Sequence, residues 1–272
     1  MRIFISADIE GIAGVVSPQQ TMAGNAEYER ARRLMTAEVN AAVEGALAAG
    51  ATEIVVNDAH GGMTNLLPEE LHPEAALILG KPKPMTMFAG LDAGFAGVMC
   101  VGYHGGARRP GVLAHTTNSF AFGRITVNGR ELGEAGLYGA YAGSLGVPVV
   151  LLSGDDRLAE ETAPLFPGAE RVIVKQALGQ RAARNLSPAA AHTRLRSAAE
   201  AAARRAGRIA PFRIDGPFLL HVEMNTPALA DLAAGIPVAR RLDAVSVGLE
   251  ADTMAGVVGW VNTLSALSAA LR

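Results

Sequence analysis

Two acidic residues close the first apolar segment of the chain, in the stretch ISADIEG. Asp8 and Glu10 stand one residue apart at the end of a run that is typical of a buried strand, and Gly11 follows them. Side chains at positions i and i+2 of an extended segment point to the same face, so the two carboxylates should lie side by side. Like charges this close repel each other unless a proton or a cation lies between them. The stretch therefore predicts a shared proton or a bound cation.

Two further apolar segments end in the same manner. VVNDAHGG carries Asp58 and His60, and CVGYHGG carries His104, again with glycine after the last polar residue. The carboxyl ends of parallel strands meet at one edge of a sheet, where open α/β folds bind their ligands. Imidazole and carboxylate together suit zinc or a similar first-row ion, and a pair of ions would explain adjacent acids. We therefore predict a metal site built from these strand ends: Asp8, Glu10, His60 and His104.

Other polar residues near the strand ends have more than one explanation. Asp58 is the weakest candidate for a metal ligand, because it could instead cap its loop or orient His60 from outside the set of ligands. His115, in PGVLAHTTNSF, lies in a segment without a helical or strand pattern, which favours a catalytic or substrate role. Asp155 and Asp156 follow another strand, and capping of the next helix explains them nearly as well as a place in the site.

The order of the apolar segments indicates an α/β protein. Helices are expected over about 27–49 and 133–145, and Asn128-Gly129 is the turn signal of a hairpin at 124–130. Alternation of strands and helices implies a mostly parallel central sheet with helices on both faces. The strands expected in that sheet are 2–7, 53–58, 97–103, 147–154 and 171–176.

The composition changes near Ser187-Pro188, where a cap and a helix-starting proline open an Ala/Arg-rich helix that runs to about 206. Strand patterns at 217–225 and 241–249 and a helix opened by Asp252 follow it. These segments predict a smaller α+β unit. We therefore divide the chain into an α/β metal-binding catalytic domain, residues 1–190, and a smaller α+β domain, residues 191–272.

Composition and charge exclude several classes of function. The 272 residues are 50% hydrophobic and 18% charged, which indicates a packed globular protein. A formal net charge of -2 gives no reason to expect nucleic acid or an anionic membrane as a partner. Neither a signal peptide nor an uncharged segment of about 20 residues is recognisable, so we expect a cytoplasmic protein. Nucleotide-binding glycine loops, the G-x-S-x-G elbow and the H-E-x-x-H helix are absent from the sequence.

The motifs resemble those of a known family. SADIEG at 6–11 is similar to the S-x-D-x-E-G signature of the DppA-type D-aminopeptidases, the zinc peptidases of family M55. VGYHGGA, PGVLAHT, GEAGL and PVVLLSGDD resemble further blocks of that family, in family order. The likeness is dense to about residue 190 and weaker beyond it. On these motifs the chain is identified as a member of the family.

The resemblance implies a site with two zinc ions per subunit and a catalytic histidine. That histidine falls on His115, and Asp8 is the expected bridge between the ions. Glu134 is implied only by the resemblance, because an acid at a helix start is otherwise explained by the helix dipole. The implied zinc ligands are Asp8, Glu10, His60, His104 and Glu134.

The resemblance also implies an activity and an assembly. The expected enzyme is a zinc-dependent aminopeptidase that hydrolyses short peptides with N-terminal D-amino acids, such as D-Ala peptides, by a water activated by two metals. The expected assembly is a homodecamer of two stacked five-membered rings. Two alternatives remain open: a two-metal hydrolase of an L-peptide or phosphoester, and a non-catalytic peptide-binding protein linked to peptide transport. No cluster of Arg and Lys at the strand ends favours phosphate. Lys175 and Arg181 could reach the site, but we expect them on the surface of a helix or the sheet.

Overall fold

Twelve strands and six helices alternate along the computed structural model, which describes all residues from 1 to 272. The strands are β1 (Arg2–Ala7), β2 (Glu53–Asp58), β3 (Ala75–Ile78), β4 (Gly97–Val101), β5 (Phe122–Val127), β6 (Arg130–Glu131), β7 (Val149–Asp155), β8 (Glu170–Gly179), β9 (Ala182–Asn185), β10 (Phe218–Met224), β11 (Arg240–Arg241) and β12 (Ser246–Ala251). The helices are α1 (Ala26–Ala48), α2 (Glu134–Ser144), α3 (Asp156–Thr162), α4 (Pro188–Arg205), α5 (Pro227–Ala234) and α6 (Met254–Leu267).

The larger sheet has seven strands in the order β3-β2-β1-β4-β7-β8-β9, all parallel except the edge strand β9. From β1 the chain first builds outward through β2 and β3, and then returns to place β4 on the other side of β1. This reversal of strand order leaves a crevice at the carboxyl ends of β1 and β4, the position at which open α/β sheets bind ligands. The predicted α/β class and mostly parallel sheet are confirmed.

Helices cover both faces of the larger sheet, as the alternating pattern predicted. Helices α1 and α4 pack on each other over one face, where one apolar cluster buries side chains such as Ile5, Val39 and Leu195. Helix α2 lies on the other face, in a second cluster that includes Phe4, Tyr138 and the inner side chains of the smaller sheet. The larger sheet is therefore the middle layer of the fold.

The smaller sheet is antiparallel, in the order β11-β12-β10-β5-β6. Its β5–β6 hairpin turns at Asn128-Gly129, with positive φ at both residues, as the turn signal predicted. This hairpin lies within residues 1–190, whereas β10, β11 and β12 lie beyond 190. The sheet thus joins residues from both sides of the predicted boundary, and the division at 190 stays a prediction from sequence.

Two expectations for the C-terminal segment were wrong. The strand predicted over 241–249 is divided into β11 and β12, because Asp243 Oδ1 accepts hydrogen bonds from the amides of Val245 and Ser246, each at 2.8 Å, and closes a turn. The last helix is capped by Thr253, whose hydroxyl accepts from the amide of Gly256 at 3.0 Å, and not by Asp252.

The last helix is apolar along its whole length. The segment Met254–Leu271 has a mean hydropathy of 1.4 over 18 residues, which is enough by length and composition for a membrane span. One stripe of α6, with Val257, Val261 and Leu264, is buried against the smaller sheet and α2. Packing in the core accounts for this stripe, which is about a third of the segment.

Candidate metal centre

Three neighbouring strands and one helix start deliver the predicted ligands to a single crevice. Asp8 and Glu10 follow β1, His60 follows β2, and His104 follows β4, which are adjacent strands of the larger sheet. Glu134 is the first residue of α2. All five side chains are buried or nearly so, with 15% exposure for His60 and 5% or less for the others.

The loops after β1 and β4 are held against each other by main-chain contacts. The amide of Asp8 donates to Val101 O at 2.8 Å, and the amide of Gly11 donates to Gly102 O at 2.7 Å. The approach is so close that a Cβ at Gly11 would lie 2.0 Å from Tyr103 O. Only glycine allows this contact, which fixes the two signature acids relative to the strand that carries His104.

Asp8 is shared by two groups of potential ligands. One of the two is Asp8, Glu10 and His60, and the other is Asp8, His104 and Glu134. A third group, Glu10, His104 and His115, does not include Asp8, and within each group the ligand atoms all lie within 4.8 Å of one another. Asp8 Oδ1 lies 3.3 Å from His60 Nδ1, and Asp8 Oδ2 lies 3.5 Å from His104 Nε2. A carboxylate that offers one oxygen to each side is suited to bridge two cations.

Each imidazole has one nitrogen fixed by a main-chain carbonyl and the other directed at the carboxylates. His60 Nε2 lies 2.9 Å from Thr21 O, and His104 Nδ1 lies 3.0 Å from Gly105 O. With those nitrogens protonated as donors, His60 Nδ1 and His104 Nε2 carry the free lone pairs. Metal-binding histidines in proteins are oriented in this way.

Two buried polar atoms of the cluster have no hydrogen-bond partner, and they indicate what the site binds. His104 Nε2 and Glu10 Oε2 are buried and make no hydrogen bond, although Glu10 Oε2 lies only 2.8 Å from His60 Nδ1. A buried polar atom without a partner costs about 1–3 kcal/mol, and more if it is charged. A cation among the ligand atoms would satisfy both atoms, and nitrogen and oxygen donors in this combination fit zinc.

The charges of the cluster shift its pKa values strongly. For His60 and His104, burial opposes the charged form, but the carboxylates of Glu10, Asp8 and Glu134 outweigh it and raise both pKa values well above the usual range. For Asp8, burial favours a higher pKa, but the neighbouring imidazoles of His104 and His60 outweigh it and hold the pKa of Asp8 well below the usual value. Burial raises the pKa of Glu134. Without a cation the site therefore holds protons on its imidazoles, and a cation must displace them.

His115 lies over the same cluster. Its ring stacks on that of His104 with 4.2 Å between centroids and 12° between planes. Nδ1 lies 2.9 Å from Leu113 O, which leaves Nε2 free at 3.7 Å from Glu134 Oε1. The side chain is 20% exposed, so it can meet both the cluster and an incoming molecule.

Glu134 is the ligand candidate that the residues alone did not single out. Its Oε1 accepts a hydrogen bond of 2.5 Å from the amide of Thr117, a β-branched residue at φ 59°. That conformation is disfavoured for a β-branched side chain, and such strain is concentrated at functional sites. The only local sign in the sequence was an acid at a helix start, which the helix dipole explains equally well.

The structure gives the other acids structural contacts. Asp58 accepts hydrogen bonds from the amides of Asn65 and Leu66, which favours the loop-capping account over orientation of His60. Asp155 caps α3 by accepting from the amide of Leu158 at 2.8 Å. Asp156 accepts from the amide of Ala177 at 2.7 Å.

The surface position expected for Lys175 was wrong. Lys175 is 1% exposed and donates to three main-chain carbonyls, and burial lowers its pKa to about 8. Arg181 is exposed, as expected. Lys175 was misplaced because a lysine in a strand pattern reads as a solvent-facing residue when the strand register is unknown.

Imidazoles and carboxylates gather where the strand order of the α/β sheet reverses, around buried atoms that have no partner. This arrangement is typical of metal-dependent hydrolases. Residues 1–263 match the model of the peptidase family M55, the D-aminopeptidases, and the chain belongs to this family. It is a metallo-aminopeptidase.

A sequence comparison and a structure comparison both find similarity over nearly the whole chain. The D-aminopeptidase of Bacillus subtilis (strain 168) is 38% identical over 237 residues, which cover 87% of this chain and 86% of the relative. The solved structure of the Zn-dependent D-aminopeptidase DppA from Bacillus subtilis, described as a self-compartmentalizing protease, has a TM-score of 0.96 at 34% identity. That match covers 99% of this chain and 98% of the other.

Proposed function

We propose that the chain uses two zinc ions per subunit to hydrolyse short peptides whose N-terminal residue is a D-amino acid, such as D-Ala peptides. The observation that carries the proposal is the sharing of Asp8 between two groups of potential ligands. The substrate class is supported by the match to the D-aminopeptidase of Bacillus subtilis in sequence and by the match to a solved structure described as a Zn-dependent D-aminopeptidase.

Two sets of ligands follow from the two groups. Asp8, Glu10 and His60 would hold one zinc ion, and Asp8, His104 and Glu134 would hold the other. When zinc is bound, it supplies a Lewis acid that polarises a carbonyl and makes water acidic enough to attack near neutral pH. The hydrogen bonds from His60 Nε2 to Thr21 O and from His104 Nδ1 to Gly105 O keep the other nitrogen of each imidazole directed at the zinc site.

His115 is proposed as the catalytic residue. Its Nδ1 is engaged by Leu113 O, so Nε2 is the atom that exchanges a proton or donates to a developing oxyanion. Stacking on His104 keeps the ring from rotating away from the cluster. The 20% exposure of the side chain leaves a path by which the proton reaches solvent or a leaving amine.

We also propose that the chain assembles as a homodecamer of two stacked five-membered rings in the cytoplasm. The description of the solved Bacillus subtilis relative as a self-compartmentalizing protease supports an oligomer that encloses its active sites. The TM-score of 0.96 supports transfer of this expectation, because the surfaces that would form the contacts have the same backbone.

A matched hydrolysis assay tests the proposed activity. Zinc-loaded protein is given D-Ala-D-Ala, L-Ala-L-Ala and a phosphate ester under the same conditions. We expect cleavage of the D-peptide alone, loss of that activity with a chelator, and recovery with added zinc. Cleavage of the L-peptide or the ester without cleavage of the D-peptide would keep the metal site and overturn the substrate.

A further inference from the structure

The loop that carries Glu10 is held from several directions. Residues 9–15 leave β1 and turn beneath the metal centre. Besides the contact between Gly11 and Gly102, the amide of Ala13 donates to Glu38 Oε1 of α1 at 2.8 Å, and the amide of Gly14 donates to Asn185 Oδ1 at 2.9 Å. These contacts hold the amides of the loop, and Lys175 holds its carbonyls.

The Lys175 ammonium is fully engaged by this loop. It donates to Glu10 O at 2.5 Å, to Ile12 O at 3.0 Å and to Val15 O at 2.6 Å. An ammonium has three N–H donors, so three acceptors saturate it. The side chain is 1% exposed, and no other acceptor competes for it in the hydrogen-bond network.

A local irregularity of β8 turns Lys175 inward. Gly154 of β7 is opposite Ile173, but the next residue, Asp155, is opposite Lys175, so one residue of β8 is skipped. The alternation of buried and exposed side chains breaks at this point, and Val174 and Lys175 are both buried. Bulges of this kind redirect side chains and occur next to active sites.

We propose that Lys175 is a positioning residue of the metal centre, whose ammonium fixes the main chain of Glu10 so that the Glu10 carboxylate faces His60 before metal binds. The inference rests on the proposed function in taking Glu10 as a zinc ligand. Lys175 holds the main-chain carbonyl of Glu10, and the carboxylate of the same residue lies 2.8 Å from His60 Nδ1. Groups that orient a ligand in this way tune the affinity for the metal.

The same strand provides a matched control. Arg171 also clamps three main-chain carbonyls, those of Ala163, Phe166 and Ala169. It lies near the start of β8, at the end of the strand opposite the metal centre, and its loop contains no candidate ligand. Removal of either clamp should weaken the fold, but only removal of Lys175 should change how zinc is held.

The test compares Lys175→Met with Arg171→Met and the wild type. Metal-free proteins are titrated with zinc in competition with a chromophoric chelator, the visible spectrum of the cobalt-loaded proteins is recorded, and thermal unfolding of the metal-free proteins is followed. For Lys175→Met we expect zinc affinity to fall by about 10- to 100-fold and the cobalt bands to change. For Arg171→Met we expect a lower unfolding temperature with wild-type affinity and cobalt spectrum.

Wild-type zinc affinity and cobalt bands in Lys175→Met would overturn the proposal, whatever the loss of stability. If Lys175→Met does not fold, Lys175→Gln is measured in the same way, because its amide has two N–H donors in place of three, ends one bond nearer the backbone and cannot hold all three carbonyls. Reduced affinity in that variant supports the role, and wild-type affinity overturns it. A wild type that binds no zinc refutes the proposed function itself, whereas an unchanged affinity in the variant refutes only the role of Lys175.

Discussion

Asp8 presents its two carboxylate oxygens to two different histidines, Oδ1 towards His60 and Oδ2 towards His104. The opposite nitrogen of each ring is engaged by a main-chain carbonyl, of Thr21 and Gly105 respectively. Because those nitrogens are engaged, the lone pairs of His60 Nδ1 and His104 Nε2 remain for a metal. The carbonyls that orient the two imidazoles therefore set the chemistry of the centre as much as the ligands do.

Replacement of the catalytic histidine should separate catalysis from metal binding. His115→Ala should lower kcat by about 10²- to 10⁴-fold, because it removes a proton-transfer group, and leave the zinc content unchanged. Peptide hydrolysis and zinc content are measured on the same sample. His221→Ala, at an exposed position of β10, is the control and should be as active as the wild type. Loss of zinc together with activity would refute the assigned role of His115.

A buried acid behind the site should make stability depend on pH. Burial raises the pKa of Glu38 from its ordinary 4.5 to about 7, against the opposing effects of the Ala13 amide and Lys175. The folded state therefore binds more protons than the unfolded state between these values. The associated stability is complete below the unfolded pKa and is lost as pH rises through the folded one.

Glu38→Gln should remove this pH dependence. Between about pH 5 and pH 8, the free energy of unfolding of the metal-free variant should rise relative to that of the wild type by roughly 2–3 kcal/mol. Urea unfolding of both proteins across this range measures the difference, in which the titration of groups that do not interact with Glu38 cancels. A difference that stays constant with pH would contradict the account.

Most of the proposed ligands were predictable because they end strands. Asp8, Glu10, His60 and His104 each follow an apolar run, and a parallel sheet brings such ends together regardless of the connecting segments. Glu134 was not predictable from its neighbours, because a helix reaches the crevice only through the packing of the whole chain. Family resemblance supplied it.

Among the elements, the loops after β1 and β4 make a close contact. This contact fixes the distance between the acids of the first loop and His104 of the second. Gly11 makes this contact possible, since any Cβ there would collide with Tyr103 O. The colliding atom belongs to the backbone, so relief requires the loops to separate. The contact therefore ties the spacing of the ligands to a single residue without a side chain.

Gly11→Ala should accordingly damage both stability and metal binding. We expect a loss of more than about 2 kcal/mol in the free energy of unfolding, together with a lower zinc content. Gly207→Ala is the control, because a Cβ there meets no atom within 4 Å, and its stability should stay within about 0.5 kcal/mol of the wild type. Wild-type stability and zinc content in Gly11→Ala would show that the contact does not fix the site.

The elements that sequence patterns predicted well are those whose stability is local. Helix α4 begins after Ser187 as expected, because its cap and first proline are adjacent in the chain. The smaller sheet was harder to predict, because its β5–β6 hairpin pairs with β10, about ninety residues further along the chain. The pattern of each segment predicts a strand but does not show which strand it pairs with, so the long-range pairing stays hidden in the sequence.

At the scale of the whole molecule, the proposed assembly makes a direct prediction. A homodecamer would have a mass of about 281 kDa, ten times the chain mass of 28.1 kDa. Sedimentation velocity or light scattering of the zinc-loaded protein measures this mass. A mass of one or two chains, with full peptidase activity, would contradict the proposed assembly and leave the site intact.

A zinc titration of the metal-free protein shows directly whether Asp8 is shared by two ions. We predict that two zinc ions bind per chain and that Asp8→Asn, which keeps the shape but removes the charge, weakens both sites together. Asp252→Asn, at an exposed residue before α6, should bind zinc as the wild type does. A single zinc ion per chain with full activity, or one site of wild-type affinity in Asp8→Asn, would contradict a bridging carboxylate.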